Sequence, residues 1–205
     1  MKANVIQYPT YLKHFLTLFP ELEHELPWSI VPAIQHIVLR KIKTLPSDYT
    51  IKNEVAIHKT AQLEEHVILK GPVIISAGCF IASHAYMRGG IFIGEKTVIG
   101  PGCEVKSSFI MQSSGLAHFN FVGDSLLGSY VNMEAGSVIA NHYNERLDKT
   151  ISVLLNKKET QINITKFGAI VGDHTKIGAN SVLSPGTILR PDSIVKRLEL
   201  VDQSA

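Results

Sequence analysis

Lys70, Arg88 and Lys106 follow one another at intervals of eighteen residues. If eighteen residues complete one coil of the folded chain, the three cations stack at roughly the inter-strand spacing of ~4.8 Å. Like charges at that distance repel by about 1 to 4 kcal/mol per pair. Either the side chains spread into water, or an anion sits against them, and neighbouring Arg and Lys suit a phosphate. The same arithmetic puts His118 above Ala82 and Gly100, whose near-absent side chains leave room for a ligand beside an imidazole. Taken alone, a single histidine among nine is more often a packed or surface residue. The other eight (His14, His24, His36, His58, His66, His84, His142, His174) form no metal-ligand spacing, and a zinc-dependent hydratase would need three that converge.

A repeat is what could set such columns. From Ile57 an aliphatic residue returns at every sixth position: Leu63, Leu69, Ile75, Ile81, Met87, Ile93, Ile99, Val105, Met111. Six is the period neither of a helix nor of a lone strand, and it fits short strands joined by regular corners, a solenoid. The residue two before each member is small or apolar, including Cys79 and Cys103, so each repeat points two side chains inward. Beyond Met111 the series continues as Ala117, Val122, Leu127, Met133 and Ile139, with two steps of five inside the segment AHFNFVGD (117–124). One-residue slips move side chains between faces, so this region should depart from a plain prism. The pattern then lapses over about 141–167 and resumes at Val171, Ile177, Leu183, Leu189 and Val195. In the gap, TISVLL and TQINIT flank a polar turn at Asn156, Lys157, Lys158 and Glu159, which predicts an inserted hairpin arm over a neighbour or a site.

Residues 1–50 lack the repeat. Thr10 to Leu18 reads as a short helix stopped by Pro20, and Ser29 to Lys43 as an amphipathic helix with Ser29 as its N-cap. Its stripe of Ile30, Ile34, Ile37, Val38 and Ile42 is expected to cap the open end of the solenoid in residues 51–205. A net charge of +2, with 45% hydrophobic and 19% charged residues, argues against a nucleic-acid partner. No apolar core of a signal peptide opens the chain and no segment approaches the ~20 apolar residues of a membrane span, so a cytoplasmic location is expected. Cys79 and Cys103 then read as small core residues, without disulfide or metal.

The pieces EVKSS, AHFNFVGD, YVNMEAG, ANHY and KFGAIVGD, in this order over about 67–197, resemble the acetyltransferase half of the bifunctional glucosamine-1-phosphate acetyltransferases. Those are hexapeptide-repeat acyltransferases that also make UDP-N-acetylglucosamine, and the long insertion looks more like the archaeal-type sugar-phosphate nucleotidylyltransferase branch. The resemblance implies a mainly β, left-handed parallel β-helix, a homotrimer with sites between subunits, and acetyl transfer from acetyl-CoA to the amine of a sugar 1-phosphate, without a metal. It implies His118 as the catalytic base, work that suits an imidazole, which ordinarily titrates near neutrality. Asn132 would settle the reacting amine. Arg88, Lys106 and Lys166 would hold phosphate and Glu104 a sugar hydroxyl, with Phe121 on the substrate side where the family has Tyr. Ala135, Asn141 and Ala179 would bind acetyl-CoA, with Arg197 near the cofactor path. The family's second Tyr is His142 here, although Tyr143 follows. No Gly-rich nucleotide loop precedes the repeat, so nucleotidyl transfer is not expected. Two alternatives stand: an acyltransferase for a nucleotide sugar or lipid A precursor, and a non-catalytic trimeric partner of a separate nucleotidylyltransferase docked through the Ser29 to Lys43 helix.

Overall fold

The computed structural model describes residues 6–203. Its core is a left-handed parallel β-helix of three faces. The first face stacks strands at 55–57, 73–75, 91–93, 108–110, 126–127, 169–171 and 187–189. The second runs from Gln62–Leu63 through Phe80–Ile81, Val98–Ile99, Gly115–Leu116, Asn132–Met133 and Lys176–Ile177 to Ile194–Val195. The third stacks 68–70, 86–88, 104–106, 121–123, 138–139, 182–183 and 200–201. The inward positions of the middle coils are fully buried, among them Ile75, Ile81, Met87, Ile93, Ile99 and Val105, while those of the first coil, Ile57, Leu63 and Leu69, are partly buried. Both cysteines are buried and free, and burial pushes the Cys79 thiol up to about 11.

Coil length changes within one strand. Arg88 pairs with Lys106, eighteen on, but Ile91 pairs with Ser108, seventeen on, because Gly89 and Gly90 stand opposite Ser107 alone. Gly90 (φ +94) also lies under a helix, where a Cβ would come 2.8 Å from the Gln35 nitrogen. The next two coils keep the shorter step: Glu104 pairs with Phe121 and Phe121 with Val138. The inward residues are therefore Ile110 and Leu116, not Met111 and Ala117, and the first five-residue step falls at Ser107 rather than inside 117–124. Adjacent apolar Ile110 and Met111 hid the slip.

The first face is apolar outside as well as inside. Ala56, Ile74, Phe92, Phe109, Leu126, Ile170 and Ile188 stack outward, covered by the N-terminal helices and, at Ile188, by the inserted arm. The helices are α1 (Tyr8–Tyr11), α2 (Phe15–Leu18) and α3 (Pro27–Ile42). The single helix expected over 10–18 is thus two, and α3 starts at Pro27 with Leu26 as its cap, while the Ser29 hydroxyl donates to the Leu26 carbonyl. α3 lies along the flank of the solenoid and does not cap its end, because the outward Ile74, Phe92 and Phe109 need cover. Its apolar stripe is buried there. Strand Tyr49–Lys52, antiparallel to Val55–His58, covers the first coil's edge instead.

The insertion leaves after Asn141 and rejoins at Phe167, whose N–H donates to the Asn141 carbonyl. Strands Ser152–Leu155 and Lys158–Gln161 form the expected hairpin. Its turn is the pair Asn156 and Lys157, both at positive φ, shorter than the four residues expected. Val153 and Leu155 are buried in the cluster that holds Ile188, so the arm covers its own solenoid.

Candidate active site

Backbone bonds across the corner between the second and third faces define one column. Gly102 N–H donates to Ser83 O, Phe119 to Pro101, Gly136 to His118, Asn180 to Ala135 and Leu198 to Ala179, at 2.8 to 3.2 Å. Ser83, Pro101, His118, Ala135, Ala179 and Arg197 thus stand one above another. Of the expected stack of Ala82, Gly100 and His118, the first two stand in register and His118 does not join them. With seventeen-residue coils Gly100 lies against Ala117, where a Cβ would fall 1.6 Å from the Ala117 oxygen, and His118 rises over Pro101. The open space beside His118 comes from Ala135 and Ala179 above it. Its side chain is exposed, with no hydrogen-bond partner among the described residues.

The corner is flanked by the two faces that carry the other candidates. On the second, exposed Asn132 stands between Gly115 and Lys176. On the third, Lys70, Arg88 and Lys106 are in adjacent register as the eighteen-residue spacing requires. Their repulsion is relieved in a way neither expected reading contained, by groups of the chain itself. Lys70 Nζ sits over the Tyr86 ring at 5.2 Å. Arg88 donates to Glu104 Oε1 through Nε (3.1 Å) and Nη2 (2.7 Å). Lys106 Nζ meets both oxygens of Asp124 at 2.8 and 2.6 Å.

Asp124 is 4% exposed and also accepts from Asn141 Nδ2, joining a candidate substrate residue to a candidate cofactor residue. A Cβ on Gly123 would strike both the Phe121 ring and the Asn141 amide, so Phe121 lies across the bare backbone beside this pair. Lys166 is exposed one residue before Phe167 and makes no ion pair among the described residues. Tyr143 does not replace the missing tyrosine. It is buried, donating to the Pro185 carbonyl, while His142 faces solvent.

Arg197 reaches from the top of the column to Glu134, with Nε and Nη2 at 2.7 and 2.9 Å from its two oxygens. Glu134 also accepts the Ala179 N–H at 2.9 Å. The Arg197 hydrogen bonds, then the Ala179 amide, hold its carboxyl down at about 2. Sequence reasoning missed Asp124 and Glu134. Asp124 lies eighteen residues past Lys106 in the sequence, but the coil there is seventeen long, so Gly123 is the register partner of Lys106 and Asp124 reaches it from the adjoining position. Glu134 had no signal, because its partner is sixty-three residues away.

Among the described residues no three metal-ligating side chains converge, and no helix is long and apolar enough to cross a membrane. The arrangement offers an open imidazole at a corner, an amide on one side, paired cations on the other and a small-residue groove above.

A family model described as the GMPPB C-terminal domain matches residues 69–189. "Bifunctional protein GlmU" of Methanococcus vannielii is 33% identical over 182 residues, covering 86% of this chain and 43% of that protein. The "Bifunctional sugar-1-phosphate nucleotidylyltransferase/acetyltransferase" of Sulfurisphaera tokodaii is 32% identical over 166 residues, 78% and 41% respectively. The chain thus spans less than half the length of these relatives. A solved N-acyltransferase, a point mutant of AntD from Bacillus cereus in complex with dTDP and coenzyme A, is 16% identical and covers 78% of this chain and 83% of that one. Its TM-score of 0.36 is too low to bear on the site. The family match covers more than half of the sequence, along the coils that carry the corner column, and the chain belongs to the family of the GMPPB C-terminal domain.

Proposed function

We propose that the chain is an N-acetyltransferase that moves the acetyl group of acetyl-CoA to the amine of an amino-sugar 1-phosphate, with His118 as general base. The amine nitrogen attacks the thioester carbonyl, the new C–N bond forms, the C–S bond breaks, and CoA leaves as thiolate. His118 takes the proton from nitrogen and returns it to the thiolate or to water. The observation that carries the reading is the single column of His118, Ala135, Ala179 and Arg197. Its small residues leave a groove for the pantetheine arm leading down to the imidazole. Asn132 positions the amine, and Arg88, Lys106 and Lys166 take the phosphate, with Glu104 on a hydroxyl. Names of the relatives that include an acetyltransferase support the reaction type.

The site is proposed to close in a homotrimer, because His118 stands open on its outer side. Light scattering reads the mass directly, and a monomer fully active at assay concentration would refute this. The enzymatic test supplies acetyl-CoA with glucosamine or galactosamine 1-phosphate and follows free thiol. Thiol release should fall by about 10²- to 10⁴-fold in His118→Ala. No turnover over a panel of amino-sugar phosphates would sink the proposal.

A second reading, transfer to another acceptor such as a nucleotide sugar, draws on the ion pairs. Arg88 and Lys106 already hold carboxylates, and Phe121 has no hydroxyl to offer a phosphate. An acceptor panel run at constant acyl donor separates the two.

A further inference from the structure

A second cleft lies away from His118, between the end of α3 and the corner that joins the first face to the second. Its volume is about 420 Å³, within the range of small-ligand sites. The corner carries a ladder of residues at positive φ: Gly78, Lys96, Ser113, Tyr130 and His174. Towards its upper end, one step below Asp192, the rings of Tyr130 and His174 stack, centroids 4.8 Å apart and 3° from parallel. That separation is one coil step. One step below Tyr130 comes Ser113, too short to continue the ladder, and one step lower Lys96, whose stem lies over Gly78. Tyr130 and Lys96 are therefore about 9 to 10 Å apart along the stack, with a gap at the level of Ser113. A planar ring there would continue the ladder at its own spacing, against the face of Tyr130 that His174 leaves uncovered.

The walls indicate which ring. Glu95 and Gln112 stand one above the other beside the gap, and Glu95 and Lys96 make no hydrogen bond or salt bridge through their side chains among the described residues. A free carboxylate accepts from an exocyclic amino group on a heterocycle, whereas in uracil the single ring N–H is flanked on both sides by carbonyl oxygens that repel it. Lys96, one step below the gap and lining the cleft, supplies an ammonium for an anionic tail. Leu45 and Phe92 close the inner side with apolar surface.

We propose that this cleft binds a nucleotide whose base carries an amino group, as adenine, cytosine and guanine do, with the base under Tyr130, its amino edge on Glu95 and its phosphate on Lys96. The site is separate from the column at His118 and does not depend on the reaction assigned to that column.

Calorimetry on the full chain with AMP, CMP, GMP and UMP tests it. The three amino-bearing nucleotides should bind saturably at micromolar to millimolar concentration, and UMP at least tenfold more weakly. Tyr130→Ala should weaken binding by roughly 5- to 150-fold, the loss of one base–aromatic stack. Glu95→Gln should bring UMP level with AMP. Ser113→Tyr fills the gap with a ring of the protein's own and should abolish binding, while the thermal melt and any acetyl transfer at His118 stay as in the parent. The absence of saturable binding by every nucleotide would overturn the proposal. So would binding that survives in a folded Ser113→Tyr, or equal affinity for AMP and UMP in the parent.

Discussion

Asp124 holds Lys106 and Asn141 at once from a position nearly closed to water. Removing its charge leaves an ammonium beside the face with no counter-ion, and breaking such a pair costs about 3 kcal/mol. Asp124→Asn should lower the unfolding free energy in urea by that order, and adding Lys106→Met should recover most of the loss. A double variant no better than the single would show that Asp124 acts through Asn141 alone. Glu134 makes a different case, because its pair with Arg197 is open to solvent. Its folded carboxyl titrates at about 2, below the ordinary value of 4.5. The contribution of the pair to stability is thus present above about 4.5 and is lost as pH falls through about 2. In Arg197→Ala the carboxyl should return toward its ordinary range, read by carbon NMR of the side chain, and an unmoved titration would deny the pairing. At this scale the sequence named His118, Asn132, Arg88, Lys106 and Glu104, the last as a sugar contact and not as the partner of Arg88, and it missed Asp124 and Glu134. Charge type is visible in a sequence, whereas which of two neighbouring columns a side chain leans into depends on a coil one residue short.

The element on which the flank depends is α3 with the aromatic packing beneath the N-terminal helices. Phe19 stacks on Phe109 at 4.7 Å and 9°, and meets Phe92 edge-on at 5.1 Å. Phe109→Ala should cost about 3 to 5 kcal/mol, as large-to-small changes of buried aromatics do. A double-mutant cycle with Phe19→Ala should give a coupling of about 1 kcal/mol. Additive losses would mean that the ring contact carries no energy of its own. The helix was legible from its stripe, but its partner was not. The six-residue frame scores only the inward member of Ile74–Ile75 and Phe92–Ile93 and passes over Ile110 for Met111, and the outward Ile74, Phe92 and Phe109 are what α3 covers. Paired apolar residues in a short strand are the mark of burial on both sides. They set the first face apart from the other two, where the outward neighbour is often polar.

Across the whole molecule the coils form a one-dimensional stack in which each touches chiefly the next. One end is covered by strand Tyr49–Lys52, while at the other Ile194, Leu198 and Leu200 lie exposed on the last coil. Amide exchange should therefore be fastest over 194–201 and slowest over Tyr86–Ile93 and Glu104–Ile110, which pair on both sides and lie in part under α3. Uniform exchange along the stack would contradict this. The register also survives a much larger disturbance than a missing residue. Asn132 pairs with Lys176, forty-four positions on, in line with strands only seventeen and eighteen apart elsewhere. A loop of any length that begins and ends at the Asn141–Phe167 junction leaves the phase of the coils untouched, whereas one residue added or lost inside a face re-addresses every side chain after it. The junction is thus a neutral splice point, where a lineage could gain or shed an appendage, or an engineer graft one, without rewriting the fold on either side.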